Sequence, residues 1–124
     1  MRGKIMKILV VNPGELPIIK EIDSTLESMQ DVVGGLIQAL YPFDEPVALI
    51  CNDEAQLLNL PMCRCLHETG DIIQGSFFVC GAPPEAERFA SLTDEQIQRY
   101  EKRFHFPELF FPLGNGHLDV LTDQ

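Results

Sequence analysis

Apolar residues occur in short runs along this chain, and turn-forming residues interrupt each run before it reaches the length of a long helix. The runs are rich in Val, Ile, Leu and Phe and lie at residues 7–11, 16–22, 36–41, 47–51 and 71–80. Short runs of this composition, bounded by Gly, Pro, Asn and Asp, are typical of β-strands. None approaches the roughly 18 to 20 apolar residues of a membrane helix. The sequence therefore predicts a fold built on short strands, with no membrane span.

Turn residues between neighbouring runs predict how the strands pair. Asn-Pro-Gly-Glu at residues 12–15 separates the first two runs, and Pro-Phe-Asp-Glu-Pro at residues 42–46 separates the next two. Proline cannot continue a strand ladder, so both segments predict turns of β-hairpins. Gly75 lies inside the run at residues 71–80, where it predicts a β-bulge or a close approach of the backbone. We read residues 52–59 as a loop with Asx chemistry and one helical turn.

Two segments carry the signals of short helices. Ser24 and Glu27 form a capping-box pattern, apolar residues follow at helical spacing, and Gly34 predicts the end of a helix over residues 24–33. Thr93 and Gln96 form a second capping box before an apolar stripe of Ile97, Tyr100 and Phe104. With 124 residues, of which 45% are hydrophobic, the chain is long enough for one packed core. We predict a single α+β domain over residues 1–124, with a curved antiparallel or mixed sheet of about five to six strands and two short helices, ending in a helix and Phe-rich tail at 93–124.

The net charge of −10 disfavours conventional nucleic-acid binding, since a phosphate backbone would be repelled. From Glu21 to Glu87 there are twelve acidic residues and a single basic one, Arg64. Solubility is the simplest interpretation of this charge, and mimicry of a nucleic acid is an alternative. The acids occur as isolated pairs such as Asp53-Glu54 rather than as regular rows, which weakens the mimicry hypothesis.

Four cysteines and three histidines are the residues that could carry metal or nucleophilic chemistry. Cys63, Cys65 and His67 place three soft ligands close together, but zinc sites usually space their cysteines more widely. The zinc interpretation, and a cysteine hydrolase using the same residues, stay open as weak alternatives. Cys51 and Cys80 each end an apolar run and are interpreted as buried hydrophobic residues. The sequence contains no glycine-rich loop opening a helix, so nucleotide binding of the P-loop or Rossmann kind is excluded, and we expect no cofactor.

Two groups of residues are candidates for binding. Asn52, Asp53 and Glu54, together with Arg64, supply donors, acceptors and one positive charge where loops are expected to meet strand ends. Arg64 is the anchor that a small anionic ligand would need, although a structural role for it is favoured. The Phe-rich tail contributes three further candidates, which either complete the core or form a partner or homodimer surface: Phe106, Phe110 and Phe111.

Several blocks of the chain resemble domain of unknown function family 3846. The resemblance covers about residues 6–81, and its most specific parts are Gly34-Gly35 and the Cys-Asn-Asp-Glu block at 51–54. The remaining blocks lie at residues 6–14, 21–23, 41–46, 60–64 and 71–78. In the family pattern that this chain resembles, an asparagine occupies the position of Cys63. This difference further weakens the zinc interpretation.

The resemblance implies a genetic context and no particular reaction. Members of the family look like small proteins encoded by phages, plasmids and conjugative elements. We expect a non-enzymatic cytoplasmic binding protein of such an element, with counter-defence as one role, which sequesters a host factor or a small anionic signal. The alternatives are an acidic inhibitor of protein interactions or a nucleic-acid mimic, and a zinc- or cysteine-dependent enzyme.

Overall fold

The computed structural model of the protein describes residues 4–113 and 117–122. These residues form nine strands and two helices. In chain order the elements are β1 (Ile5–Val11), β2 (Ile18–Asp23), α1 (Leu26–Val33), β3 (Ile37–Leu40), β4 (Val47–Asn52), β5 (Met62–Cys65), β6 (Ile72–Gln74), β7 (Phe77–Gly81), α2 (Asp94–Arg103), β8 (Glu108–Leu113) and β9 (His117–Thr122). Neither helix is long and apolar enough to cross a membrane.

A five-stranded antiparallel sheet in the order β2-β1-β7-β4-β3 forms the centre of the fold. β1 pairs with β2, with Ile5 opposite Asp23, and β3 pairs with β4, with Ile37 opposite Asn52. Both hairpins predicted from the turn residues are therefore confirmed, as is the α+β class. β2 and β3 lie at the two outer edges of this sheet.

Side chains alternate between the two faces of the central sheet and build two separate cores. On the α1 face, Met29 and Val33 of the first helix pack with residues of the strands such as Met6 and Phe78. On the α2 face, Tyr100 and Phe104 pack with strand residues that include Leu9, Val11, Leu49, Phe77 and Val79. Each helix thus packs against one face of the central sheet.

The helix boundaries follow from their capping residues, with one correction to the predicted start. Thr25, not Ser24, caps α1, because the Thr25 hydroxyl accepts the backbone N–H of Ser28 at 3.2 Å. Gly34 ends this helix in the left-handed conformation with φ of 79°. At α2 the predicted capping box is present, since Thr93 and Gln96 each bind the other's backbone N–H with a side-chain oxygen.

The run predicted at residues 71–80 is not one strand. It divides at Gly75, whose φ of 78° turns the chain, so that β6 leaves the central sheet and only β7 remains in it. A Cβ at Gly75 would meet Leu60 Cδ1 at 2.7 Å. β6 pairs instead with β5, a strand that the apolar runs of the sequence did not predict. This small sheet packs on the α2 face through Cys63 and Ile73.

The Phe-rich tail forms an element that the sequence did not predict. β8 and β9 pair as an antiparallel hairpin outside the central sheet, with Phe110 opposite Val120. A contact to the small sheet is made by Glu108, whose Oε1 accepts the Cys65 backbone N–H at 2.8 Å. Phe104, at the start of the tail, instead ends α2 and lies in the core with 1% of its surface exposed.

Candidate functional site

Arg64 is the most deeply buried charged residue among those described, with no exposed surface. Its guanidinium donates to three backbone carbonyls. Nε donates to Phe104 O at 3.2 Å, Nη1 to Cys63 O at 2.9 Å, and Nη2 to Glu15 O at 2.7 Å and to Phe104 O at 3.0 Å. These bonds join β5, the β1–β2 turn and the C-terminal end of α2. The structural role that the sequence favoured for Arg64 is the one observed.

The electrostatic surroundings of Arg64 are unusual, since its hydrogen-bond acceptors are neutral. Burial lowers the pKa of Arg64, while the proximity of Cys63 and Glu108 acts in the opposite direction. None of the ion pairs among the described residues includes Arg64. The carbonyl of Phe104 stands at the negative end of the α2 dipole, which favours a cation there. The guanidinium is thereby engaged inside the protein and does not line the cavity formed by the other predicted ligand residues.

Asn52 holds the turn that carries the other predicted ligand residues. It is 4% exposed, and its side-chain amide both donates and accepts a hydrogen bond. Nδ2 donates to Val33 O at the end of α1 at 3.1 Å, and Oδ1 accepts the backbone N–H of Glu54 at 2.7 Å. The second bond is the Asx turn that the sequence predicted after β4. Asn52 therefore fixes the position of Asp53 and Glu54 relative to the first helix.

A cavity of about 520 Å³ lies between this turn and the strands β3 and β6. Three carboxylates line it, from Asp53, Glu54 and Asp71. The rest of its wall combines amide and apolar side chains with one thiol: Gln38, Leu40, Cys51, Asn52, Ala55, Gln56, Leu57, Ile72, Ile73 and Gln74. Among the described residues no Lys, Arg or His lines the cavity, so its charged groups are all carboxylates.

The sequence could not predict the second half of this cavity. Gln38, Asp71 and Gln74 reach it from β3 and from the β5–β6 region, which are distant in sequence from the turn. Gln74 is held by a bond from its Nε2 to Leu60 O at 2.9 Å. The only sequence signal for these cavity residues was their amide or acidic character, which is common on protein surfaces.

The cysteine and histidine candidates for metal binding are not brought together. Cys63 is fully buried and contacts Val11 O at 3.6 Å, whereas Cys65 is half-buried and His67 is exposed. In the described part of the chain, no three His, Cys, Asp or Glu residues could hold one metal ion. Burial raises the pKa of the Cys63 thiol to about 12, and it raises that of Cys65 as well.

The three phenylalanines predicted for partner binding differ in exposure. Phe106 is 38% exposed and Phe111 is 44% exposed, whereas Phe110 is half-buried. The Phe106 ring meets the His105 ring edge-on, with centroids 4.7 Å apart. Phe106 lies just before the C-terminal hairpin and Phe111 lies on β8. Both side chains are accessible to a partner.

Two acidic residues are bound to arginines of α2. Glu45, in the β3–β4 loop, accepts hydrogen bonds from Gln96, Arg99 and Tyr100, with the Tyr100 hydroxyl at 2.6 Å. Arg103 forms an ion pair with Glu68 at 3.1 Å. These contacts connect α2 to the loops on the same side of the sheet.

The fold and the site together define a small α+β domain in which one antiparallel sheet separates two cores and an acidic cavity opens beside one sheet edge. A family model described as Domain of unknown function (DUF3846) matches residues 6–105, and the chain belongs to this family. The match extends beyond the predicted residues 6–81 to include α2, whereas the hairpin β8–β9 lies outside it. Comparisons with curated proteins and with solved structures find no match.

Proposed function

We propose that this protein is a non-enzymatic, cytoplasmic binding protein of a phage or other mobile element, and that its target is a host protein with a basic surface. The mobile-element setting, and with it a role in counter-defence, comes from the proteins that family members resemble. One observation supports the basic target most directly. Between Glu21 and Glu87 the single cation, Arg64, has no exposed surface.

Because Arg64 is buried, all the Asp, Glu, Lys and Arg side chains exposed on this segment are carboxylates. Two of the twelve acidic residues, Glu45 and Glu68, are paired with arginines of α2. The others form no ion pair among the described residues. A surface of one sign attracts a partner of the opposite sign over long distances and accelerates its association. The protein is thus suited to capture a basic partner.

The acidic cavity gives this attraction a defined point of contact. Asp53, Glu54 and Asp71 present carboxylates that can accept the parallel N–H groups of an arginine or the ammonium of a lysine. Leu57 is 82% exposed at the same cavity and offers an apolar surface to the aliphatic part of such a side chain. A small anionic signal would meet no positively charged side chain among the described residues of the cavity, so we favour a basic protein as the target.

Fluorescence anisotropy with a labelled, acetylated oligoarginine peptide tests this proposal. Asp53→Asn with Glu54→Gln should weaken peptide binding about tenfold, because two charge-assisted contacts are lost. Glu85→Gln with Glu87→Gln is the matched control, since it removes the same charge from exposed residues outside the cavity. The control should weaken binding less than about twofold.

Two results would overturn the proposal. If the wild-type protein does not bind the peptide at low salt, the acidic surface does not recognise basic segments. If both double variants lose the same affinity, binding reflects net charge alone and the cavity has no part in it.

A further inference from the structure

The outer edge of β2 offers an unpaired strand with exposed aliphatic residues. β2 is the last strand of the central sheet, and among the described residues no strand pairs with its outer side. Ile18 is 48% exposed and Ile19 is 57% exposed, and Leu16 just before the strand is 52% exposed. Free backbone groups beside apolar side chains form a template for another strand.

The pairing with β1 determines which backbone groups of β2 are free. The Ser24 N–H donates to Lys4 O at 2.7 Å, and the register continues with Ile5 opposite Asp23. Hydrogen-bonded pairs alternate along an antiparallel ladder, so every second residue of β2 from Ser24 backwards bonds to β1. The intervening residues, Ile19, Glu21 and Asp23, therefore direct their N–H and C=O groups away from the sheet.

This alternation disfavours a second copy of β2 as the occupant of the edge. In an antiparallel pair of two β2 strands, outward residues must pair with outward residues. The central registers then place Glu21 opposite Glu21, Glu21 opposite Asp23, or Lys20 opposite Lys20 of the other copy. Like charges directly opposite each other destabilise a strand pair. A register centred on Ile19 avoids this but brings Pro17, which has no N–H, opposite Glu21.

The same edge is complementary to a basic segment. A cavity of about 370 Å³ lies beside β2 and α1, and Glu21, Asp23 and Asp31 are among its lining residues. Basic side chains of a docked strand, placed opposite Glu21 and Asp23, would lie on the same face as these two carboxylates. Lys20 is the one basic residue among the described residues that line it.

We propose that the outer edge of β2 binds an extended segment of a partner protein as an additional antiparallel strand. The segment carries basic residues opposite Glu21 and Asp23 and an aliphatic residue opposite Ile19. This surface is at the opposite edge of the central sheet from the acidic cavity, which β3 lines, and the inference does not depend on that cavity.

The probe is a short acetylated peptide with the order Arg-Val-Arg-Thr-Val-Val, in which antiparallel docking places the arginines opposite Asp23 and Glu21. Calorimetry measures its affinity, and amide hydrogen exchange by NMR locates its contacts. Binding should slow exchange at the N–H groups of Ile19, Glu21 and Asp23, while Lys20 and Ile22, already bonded to β1, stay unchanged.

A charge exchange tests the register. Glu21→Lys should weaken binding of the probe about tenfold, because an attractive cross-strand pair becomes a repulsive one. A second peptide with Glu in place of the arginine opposite residue 21 should regain that affinity on the variant, which shows that the variant is folded.

Four results would overturn the inference. Three are protection of amides elsewhere than on the edge, no effect of Glu21→Lys on affinity, and dimerisation of the free protein through β2 in sedimentation. The fourth is loss of this probe's binding in the cavity variants but not in Glu21→Lys. If the oligoarginine test of the cavity fails while the β2 amides are still protected by the probe, the inference stands.

Discussion

Phe77 and Phe78 are neighbours on β7 and are both fully buried, yet they belong to different cores. Phe77 points to the α2 face and meets the Phe104 ring edge-on, with centroids 5.2 Å apart. Phe78 points to the α1 face, where it packs among aliphatic residues and Met29. Alternation along one strand thus places two identical residues in environments of different chemistry.

The two faces also differ in how polar groups connect distant segments. On the α2 side, Arg64 joins three backbone segments, and Glu45 binds three side chains of α2. On the α1 side, the corresponding side-chain connection among the described residues is the amide of Asn52, which donates to Val33 O at the end of α1. We conclude that the α2 face depends on long-range polar contacts as well as on burial, while the α1 face depends chiefly on apolar packing.

Replacing either phenylalanine by alanine should give the largest loss in the free energy of unfolding. Phe78→Ala should lower the free energy of unfolding by about 4 kcal/mol, as expected for a buried phenylalanine. Phe77→Ala should cost about 1 kcal/mol more, because it also loses the ring contact with Phe104. Urea unfolding of both variants measures the difference, and equal losses would contradict the distinction between the faces.

Removal of the guanidinium should have the next largest effect. Arg64→Met preserves much of the volume but deprives the carbonyls of Glu15, Cys63 and Phe104 of the guanidinium donor, which should cost about 3 kcal/mol. Arg64→Lys should cost less, since one ammonium retains part of the bonds. Urea midpoints with an unchanged slope measure both values. An Arg64→Met variant as stable as the wild type would show that these bonds do not hold the α2 face together.

The smallest effect concerns the pH dependence of the Glu45 network. Partial burial acts to raise the pKa of Glu45, but hydrogen bonds from Tyr100, Arg99 and Gln96 outweigh it and hold the pKa below its ordinary value. A carboxyl whose pKa is lowered by folding stabilises the protein above its unfolded pKa, near 4.3. This contribution, about 1 kcal/mol or less, is lost as the pH falls through the folded pKa.

Glu45→Gln should therefore flatten the acid limb of the stability curve, measured by urea unfolding between neutral and acidic pH. Glu85→Gln serves as the control because Glu85 is exposed and makes no ion pair among the described residues. If both substitutions change the curve equally, the network with α2 makes no specific contribution.

Local signals predicted most of the regular elements. The turn at residues 12–15 and the capping box of Thr93 and Gln96 depend on residues within a few positions of one another, and both features are present. The misplaced cap at Ser24 differs by one residue, because Thr25 is chemically equivalent and better positioned. β5 and the hairpin β8–β9 were missed because their partners, rather than their own apolar patterns, stabilise them as strands.

The candidate site was predicted only in part. Asn52, Asp53 and Glu54 do lie together at a cavity, since the Asx turn that arranges them is local. Arg64 does not join them, although it was paired with them by charge. The carboxylate of Asp71 and the amide of Gln38 complete the cavity from strands that adjoin the turn only after folding.

The sequence by itself determined the two hairpins of the central sheet, the two capped helices and the acidic composition. Each depends on propensity, spacing or charge that neighbouring residues already carry. The tertiary structure decided the location of Arg64, the wall of the cavity and the unpaired edge of β2. The case of Arg64 shows the physical reason. Its hydrogen-bond acceptors are backbone carbonyls, and every residue has one. Only the folded arrangement of the chain therefore selects the three carbonyls that bind it.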